Sequence, residues 1–208
     1  MEVLRPLPRE ERVREIFQKS GGILEGHFIA HSWKHLDRYV DKRLFYAYTQ
    51  ETTEICSMFA EDFKNDNIEV VIAPATGGII LSFETARLLT LMTGKKVISA
   101  FLEKRKEGGF EFHKGVAELI KDKRALDLDD VLTTGGSLKD AVDETRKAGA
   151  KVVRVGVIWN RGGVKPKDIG VEDEVGIDSL CNIRFQDWTS AECAISGPCS
   201  KGIPLTKP

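Results

Sequence analysis

The sequence predicts an α/β domain, a mainly parallel sheet covered by helices on both faces. Three observations carry that reading. Apolar runs at 70–73, 125–128 and 152–159 read as buried strands bounded by turn signals. Helical patterns at 79–92 and 137–148 separate them. Finally, the first two strands each pass through a small-residue loop into the next helix, an arrangement in which ligands sit beyond the carboxyl ends of the strands.

The elements follow in order. A short helix at 10–19 is stopped by Ser20-Gly21-Gly22. Residues 23–45 read as extended or irregular. A helix at 49–65 puts Ile55, Met58, Phe59 and Phe63 on one face. The strand 70–73 stops at Pro74, and Gly94 closes the helix 79–92. A strand at 96–101 leads into a predicted hairpin over 101–116, with Gly108-Gly109 at the turn and Phe110 and Phe112 alternating after it. In the helix 137–148, Ser137 is the expected N-cap and Asp140 sits at the capping-box position. Leu138, Ala141, Val142, Thr145 and Ala148 line its apolar face, and Gly149 is placed to end it in the left-handed conformation. The strand 152–159 is long enough to be central.

With 208 residues the chain can bury one sizeable core, so a single domain over 1–208 is expected. A net charge of −1 gives no general attraction to nucleic acid or anionic membrane. No apolar run reaches the length of a membrane span, and the polar first eleven residues lack a secretory signal's apolar stretch, so a cytoplasmic protein is expected. Cys56, Cys181, Cys193 and Cys199 include no C-x-x-C pair, and reduced thiols are expected rather than a zinc or disulfide site. His27, His31 and His35 would align on a helix. Gly26 and the β-formers Phe28, Ile29 and Trp33 argue against a helix there, so no protein metal site is expected.

The chemistry concentrates in Ala125-Leu126-Asp127-Leu128-Asp129-Asp130-Val131-Leu132-Thr133-Thr134-Gly135-Gly136-Ser137. An apolar strand ends in two carboxylates, and a loop of hydroxyls and glycines then feeds a helix. Such a loop and helix N-terminus suit a phosphate. Neither G-x-G-x-x-G nor G-x-x-x-x-G-K-[ST] is present. A capped surface turn would account for Ser137 and Asp140, but not for two aspartates closing an apolar strand. A second strand-to-helix loop, Ala73-Pro74-Ala75-Thr76-Gly77-Gly78-Ile79, precedes it.

The first segment resembles the phosphoribosyl pyrophosphate (PRPP) motif of type I phosphoribosyltransferases. The resemblance implies that Asp129 and Asp130 hold the ribose hydroxyls. It also implies that Thr133, Thr134, Gly135, Gly136 and Ser137 bind the 5′-phosphate. The second loop resembles the pyrophosphate loop of that family, with amides from Ala75, Thr76, Gly77 and Gly78 facing the leaving group. Asp127 departs from a usually apolar position and shares a strand face with Asp129. A buried unpaired carboxylate there would be costly, so a cationic partner or an edge location is expected.

Two further segments resemble orotate phosphoribosyltransferases. Gly26-His27-Phe28 and His35 to Lys42 match their G-x-F and S-G-x-H-S-x-x-Y-x-x-K pattern, except that Trp33 replaces the Gly and Leu36 the second Ser. Trp188 to Leu205 matches their W-x-x-x-x-C and C-x-x-G-I-P-L ending, with Cys193 further from Cys199 than usual. The resemblance implies a type I fold with a small hood from 20–45 and 180–208, a homodimer, and PRPP and orotate as substrates. It implies Mg²⁺ held mainly by PRPP rather than by protein ligands. Lys104, in Glu103-Lys104-Arg105-Lys106, matches the cation that serves the pyrophosphate, so catalysis is expected to rest on Lys104, Asp129 and Asp130. Arg161, after the strand 152–159, and Lys42 are expected to select an acidic pyrimidine. A purine phosphoribosyltransferase and a PRPP- or nucleotide-sensing regulator on the same fold are the alternatives. The absence of a basic stripe counts against nucleic acid as a partner.

Overall fold

The computed structural model describes residues 8–30, 33–182 and 185–206. The elements are α1 (Arg9–Lys19), β1 (Ile23–Ile29), β2 (His35–Val40), α2 (Lys42–Tyr46), α3 (Thr49–Phe63), β3 (Val70–Pro74), α4 (Gly77–Thr93), β4 (Ile98–Lys104), β5 (Phe110–Glu111), α5 (Lys114–Ile120), β6 (Arg124–Leu132), α6 (Gly136–Lys147), β7 (Lys151–Asn160), β8 (Asp178–Cys181), β9 (Asp187–Trp188) and α7 (Ser190–Ser196). Short 3-10 helices lie at Pro166–Ile169 and Pro198–Lys201.

The main sheet has the order β5-β4-β3-β6-β7-β8. All its pairings are parallel except β4 with β5. The sheet is apolar on both faces, as helices on both sides require. Leu126 and Leu128 of β6 pack with Phe59 and Phe63 of α3 and Leu81 and Leu89 of α4. On the opposite face Val155 and Val157 of β7 meet Leu138 and Val142 of α6. Burying a side chain of this size is worth about 1.5–3 kcal/mol, so these two clusters supply much of the driving force for folding.

A second, three-stranded antiparallel sheet has the order β1-β2-β9. It joins an N-terminal hairpin to a C-terminal strand, which places residues about 150 positions apart side by side.

Some local expectations are corrected. The strand carrying the acidic pair runs on to Leu132, because β7 is long enough to keep pairing with it up to Leu132↔Asn160. Asp129 and Asp130 therefore sit inside the strand and face opposite ways. Ser137 is not the N-cap of α6. The cap is Gly135, at φ +83°, where a Cβ would stand 2.9 Å from Val164 Cγ1. Asp140 closes no capping box with Ser137, because both residues lie inside the helix. The hairpin after β4 is shorter than expected. It pairs only Glu103↔Glu111 and Lys104↔Phe110, and α5 begins at Lys114. Ile120, fully buried beside Phe110 and Leu102, anchors that helix. Within 23–45, expected to be extended or irregular, β1 and β2 are extended and α2 begins at Lys42.

Candidate active site

Two cavities open at the carboxyl end of the sheet. The smaller, about 110 Å³, is lined by Asp129 and by the loop from Thr133 to Ser137. Its floor is the N-terminus of α6, where helix amides without intrahelical acceptors point outward. The larger, about 290 Å³, is lined by Leu36, Tyr39, Lys42, Asp130, Thr133, Thr134 and Arg161, among others. Of the residues expected from sequence to form one site, six border the loop cavity and five the larger one, with Thr133 and Thr134 lining both.

Asp130 joins the halves of the molecule. Lys42 Nζ lies 2.9 Å from its Oδ1 and 2.8 Å from its Oδ2. Burial works against charge on Lys42, but the Asp130 carboxylate outweighs it and the net shift of the Lys42 pKa is upward. Lys42 is presented by the turn into α2, where Asp41 accepts a hydrogen bond from the Arg43 amide at 3.0 Å. Asp129 Oδ1 accepts the Asp130 amide at 2.8 Å. Burial, and then the neighbouring Asp130 charge, push the Asp129 carboxyl above its ordinary range. Two carboxylates on opposite faces of one strand end can accept hydrogen bonds from the hydroxyls of a diol laid across it.

The second loop lies against this pair. Its first peptide, Ala75–Thr76, is cis. The Ala75 amide donates to the Leu102 carbonyl at 2.8 Å. That removes Ala75 from the expected set of amide donors, because its N–H is used by the sheet. Thr76, Gly77 and Gly78 remain at the opening of α4, where amides lack helix acceptors. A Cβ on Gly77 would stand 2.5 Å from Asp130 Oδ2, so this close approach requires glycine.

Arg161 follows β7, its amide held by the Leu132 carbonyl at 2.9 Å. Its guanidinium stands 5.8 Å from the centre of the Phe185 ring. Burial lowers its pKa, partly offset by Asp187 and Tyr39, and it stays a cation. It is thus a half-buried cation facing a cavity, not a turn residue in open solvent. Lys104 is not brought to either cavity. It is exposed at the end of β4, two residues past the partner of Pro74.

Asp127 is neither paired with a cation nor at an edge. It is fully buried in a central strand and accepts a hydrogen bond from Thr145 Oγ1 at 3.1 Å. Burial pushes its carboxyl up to about 8, so it is a neutral acid at pH 7. An unfolded chain releases that proton near the ordinary value of 3.8. Stability contributed here is therefore full below about pH 4 and falls by about 1.4 kcal/mol per pH unit up to about pH 8. Asp127→Asn keeps the shape and has no proton to lose. Its stability relative to the parent, measured by denaturant unfolding, should rise from about pH 5 to about pH 7. A difference that does not change with pH contradicts a neutral Asp127.

The phosphoribosyl transferase domain model matches residues 46–188. This chain belongs to the phosphoribosyl transferase family. It is 34% identical to the orotate phosphoribosyltransferase of Caldanaerobacter subterraneus subsp. tengcongensis, over 96% of each chain. It is 34% identical to that of Thermotoga maritima, over 94% of this chain and 96% of the other. The crystal structure of orotate phosphoribosyltransferase from Aeropyrum pernix shares its fold at a TM-score of 0.65 and 21% identity, covering 82% of this chain and 93% of that one.

Sequence reasoning missed several neighbours of the site. Tyr46 is packed against Gly77 and Asp130, its hydroxyl buried and its pKa raised by burial and the two acids. Phe185 supports Arg161. Neither carries a local signal, since both reach the site only through tertiary packing. Trp33 stands 76% exposed in the β1–β2 turn at φ +61°. That is the left-handed conformation glycine adopts without strain, which accounts for glycine at this place in the related pattern. Trp33 itself does not pack in the core. His31 lies outside the described residues.

Proposed function

We infer that this protein transfers the 5-phosphoribosyl group of PRPP to orotate, giving orotidine 5′-phosphate and pyrophosphate. One observation carries the choice of base. Arg161 and Lys42 place two cations on the cavity that adjoins the PRPP loop. A planar fork of donors suits the carboxylate that distinguishes orotate from uracil. The full-length relatives named orotate phosphoribosyltransferase support the same reading.

In this reading the 5′-phosphate sits on Thr133 to Ser137 and the ribose hydroxyls bond to Asp129 and Asp130. The base nitrogen attacks C1′ as the bond from C1′ to the pyrophosphate oxygen breaks, and the ribose carries oxocarbenium character between them. Orotate is already an anionic nitrogen nucleophile, so the chain need not supply a strong base. Its contribution is alignment and preorganised charge. The amides at Thr76, Gly77 and Gly78 face the leaving group. Lys104 reaches it by closure of the segment beyond β4, which its exposure at a short two-residue pairing permits.

Mg²⁺ fits the hard oxygen donors here. Asp129 lines the loop cavity, and most ligands come from PRPP and water. Bound Mg²⁺ would neutralise charge on the departing pyrophosphate. We place the enzyme in the cytoplasm, where its charged substrates would be held. A homodimer is also proposed. Ile80, Phe83 and Phe101 are exposed around an apolar groove of about 690 Å³, a face that a second copy would cover.

A panel of acceptor bases supplied with PRPP and Mg²⁺, read by pyrophosphate release, tests the assignment. Orotate should be the best acceptor, and EDTA should stop the reaction.

A further inference from the structure

The three-stranded sheet brings together four side chains that the transfer reaction does not use. His27 of β1, His35 of β2, Cys193 of α7 and Cys199 in the following 3-10 helix each offer one donor atom, and the four atoms lie within 4.8 Å of one another. His27, His35 and Cys193 are buried, and Cys199 is partly so. Among the described residues this is the one group of three or more histidine, cysteine or acidic side chains with such geometry.

We propose that these four residues form a structural Zn²⁺ site that staples the C-terminal segment onto the N-terminal hairpin. Two imidazoles and two thiolates are a donor set that selects zinc, and four protein ligands close the shell and leave no place for substrate.

The spacings fit that shell. Cys199 Sγ is 3.4 Å from His35 Nδ1 and 3.7 Å from His27 Nε2, and Cys193 Sγ is 3.7 Å from His27 Nε2. Zinc–ligand bonds of about 2.0 Å to nitrogen and 2.3 Å to sulfur, at tetrahedral angles, separate nitrogen from sulfur by about 3.5 Å. His27 Nε2 and His35 Nδ1 are 2.7 Å apart. They need part by only about 0.6 Å to reach the nitrogen–nitrogen spacing of the same shell.

The surroundings are built to present these atoms. A bulge between Glu25 and Phe28 re-aims His27 out of strand alternation. His27 Nδ1 lies 2.7 Å from the Ile203 carbonyl, which can only accept, so Nδ1 carries the proton and Nε2 of the neutral ring keeps its lone pair. His35 Nε2 is 3.1 Å from Ser190 Oγ, the contact that would orient Nδ1 in the same way. Outer partners of this kind fix the tautomer of zinc-bound histidines. The Cys199 amide donates to Cys193 Sγ at 3.3 Å, a backbone contact that holds this sulfur in place. On binding, both thiols release their protons to solvent, and the resulting site is electrically neutral, as its burial demands.

No sequence spacing announces this site. The pairs 27/35 and 193/199 meet only because β9 pairs with β2, at His35↔Trp188. That same frame leads from β2 into Lys42 and from β9 back toward Phe185 beneath Arg161.

The test is metal content and ligand identity, independent of turnover. Untagged protein purified without chelators should hold one zinc per chain by elemental analysis. The reduced apoprotein should take up Co²⁺ with the visible bands of a tetrahedral ion and a near-ultraviolet thiolate band. Cys199→Ser and His35→Gln should each lose the thiolate-tetrahedral spectrum or bind at least tenfold more weakly, whereas Cys56→Ala should bind like the parent. Failure of the reduced parent to bind either ion would overturn the proposal. So would binding unchanged in both ligand variants, or an intact mass short by two hydrogens that maps to a Cys193–Cys199 disulfide.

Discussion

Arg161→Ala should lower kcat/KM for orotate by roughly 30-fold to several thousand-fold while leaving PRPP affinity within a few-fold of the parent. The magnitude follows from losing a charged contact in a desolvated site, about 2–5 kcal/mol, at 1.4 kcal/mol per tenfold. Desolvation is visible in the structure, since burial is the main influence on the Arg161 pKa. Among the described residues no carboxylate forms an ion pair with it, so its donors are available to a ligand. Phe185 and the Leu132 carbonyl hold it in place without neutralising it. Steady-state kinetics with each substrate varied in turn separates the two constants. Unchanged orotate use in the variant would remove the basis for assigning the base.

Asp130→Asn should be the most damaging isosteric change in the PRPP half of the site. The side chain is 2% exposed and pairs with Lys42 through both oxygens. Asparagine keeps the shape but loses the charge that both a ribose hydroxyl and Lys42 require. A hydrogen bond to a charged group is worth about 1.5–3 kcal/mol, so kcat/KM for PRPP should fall about 10- to 100-fold from that loss alone. Misplacement of Lys42 should deepen the loss. The fold should survive, because Lys42 remains half-exposed to water and the Val131 amide still finds an acceptor in the Asn oxygen. Thermal melting of the same preparation checks that point. Parent-like turnover in a folded variant would contradict the ribose assignment.

The parts of this enzyme that were readable in sequence are those where chemistry and chain order coincide. The strand, acids, loop and helix at 125–148 bring Asp129 and Thr133 to Ser137 to one cavity from consecutive residues, so their spacing is itself the candidate site. Arg161 lines the larger cavity for a similar reason: a strand of known direction must deliver its last residues to the sheet's carboxyl edge. The errors arose where packing outweighs local preference. Ser137 is a good capping residue, but Gly135 takes the cap because Val164 and Ile169 leave no room there for a side chain. Phe110 and Phe112 alternate like a strand, yet burial of Ile120 turns the chain into α5 two residues later. Asp127 reads as a liability until its protonation is considered. As a neutral acid bonded to Thr145 it costs far less than a buried charge. The cysteines of the small sheet were set aside for want of C-x-x-C spacing and the histidines for want of a helix to align them, whereas strand pairing across the two ends of the chain brings the two pairs together.

The most direct test of the central claim compares acceptor bases on the unmodified protein. PRPP and Mg²⁺ are supplied with orotate, uracil, hypoxanthine or adenine in turn, and pyrophosphate release is followed together with the mass of the nucleotide formed. The account predicts orotidine 5′-phosphate in one-to-one yield with pyrophosphate, and a kcat/KM for orotate at least about 30-fold above the other three, the lower bound set by the charged contact at Arg161. A purine used as well as orotate, or no nucleotide from any of the four, would contradict it.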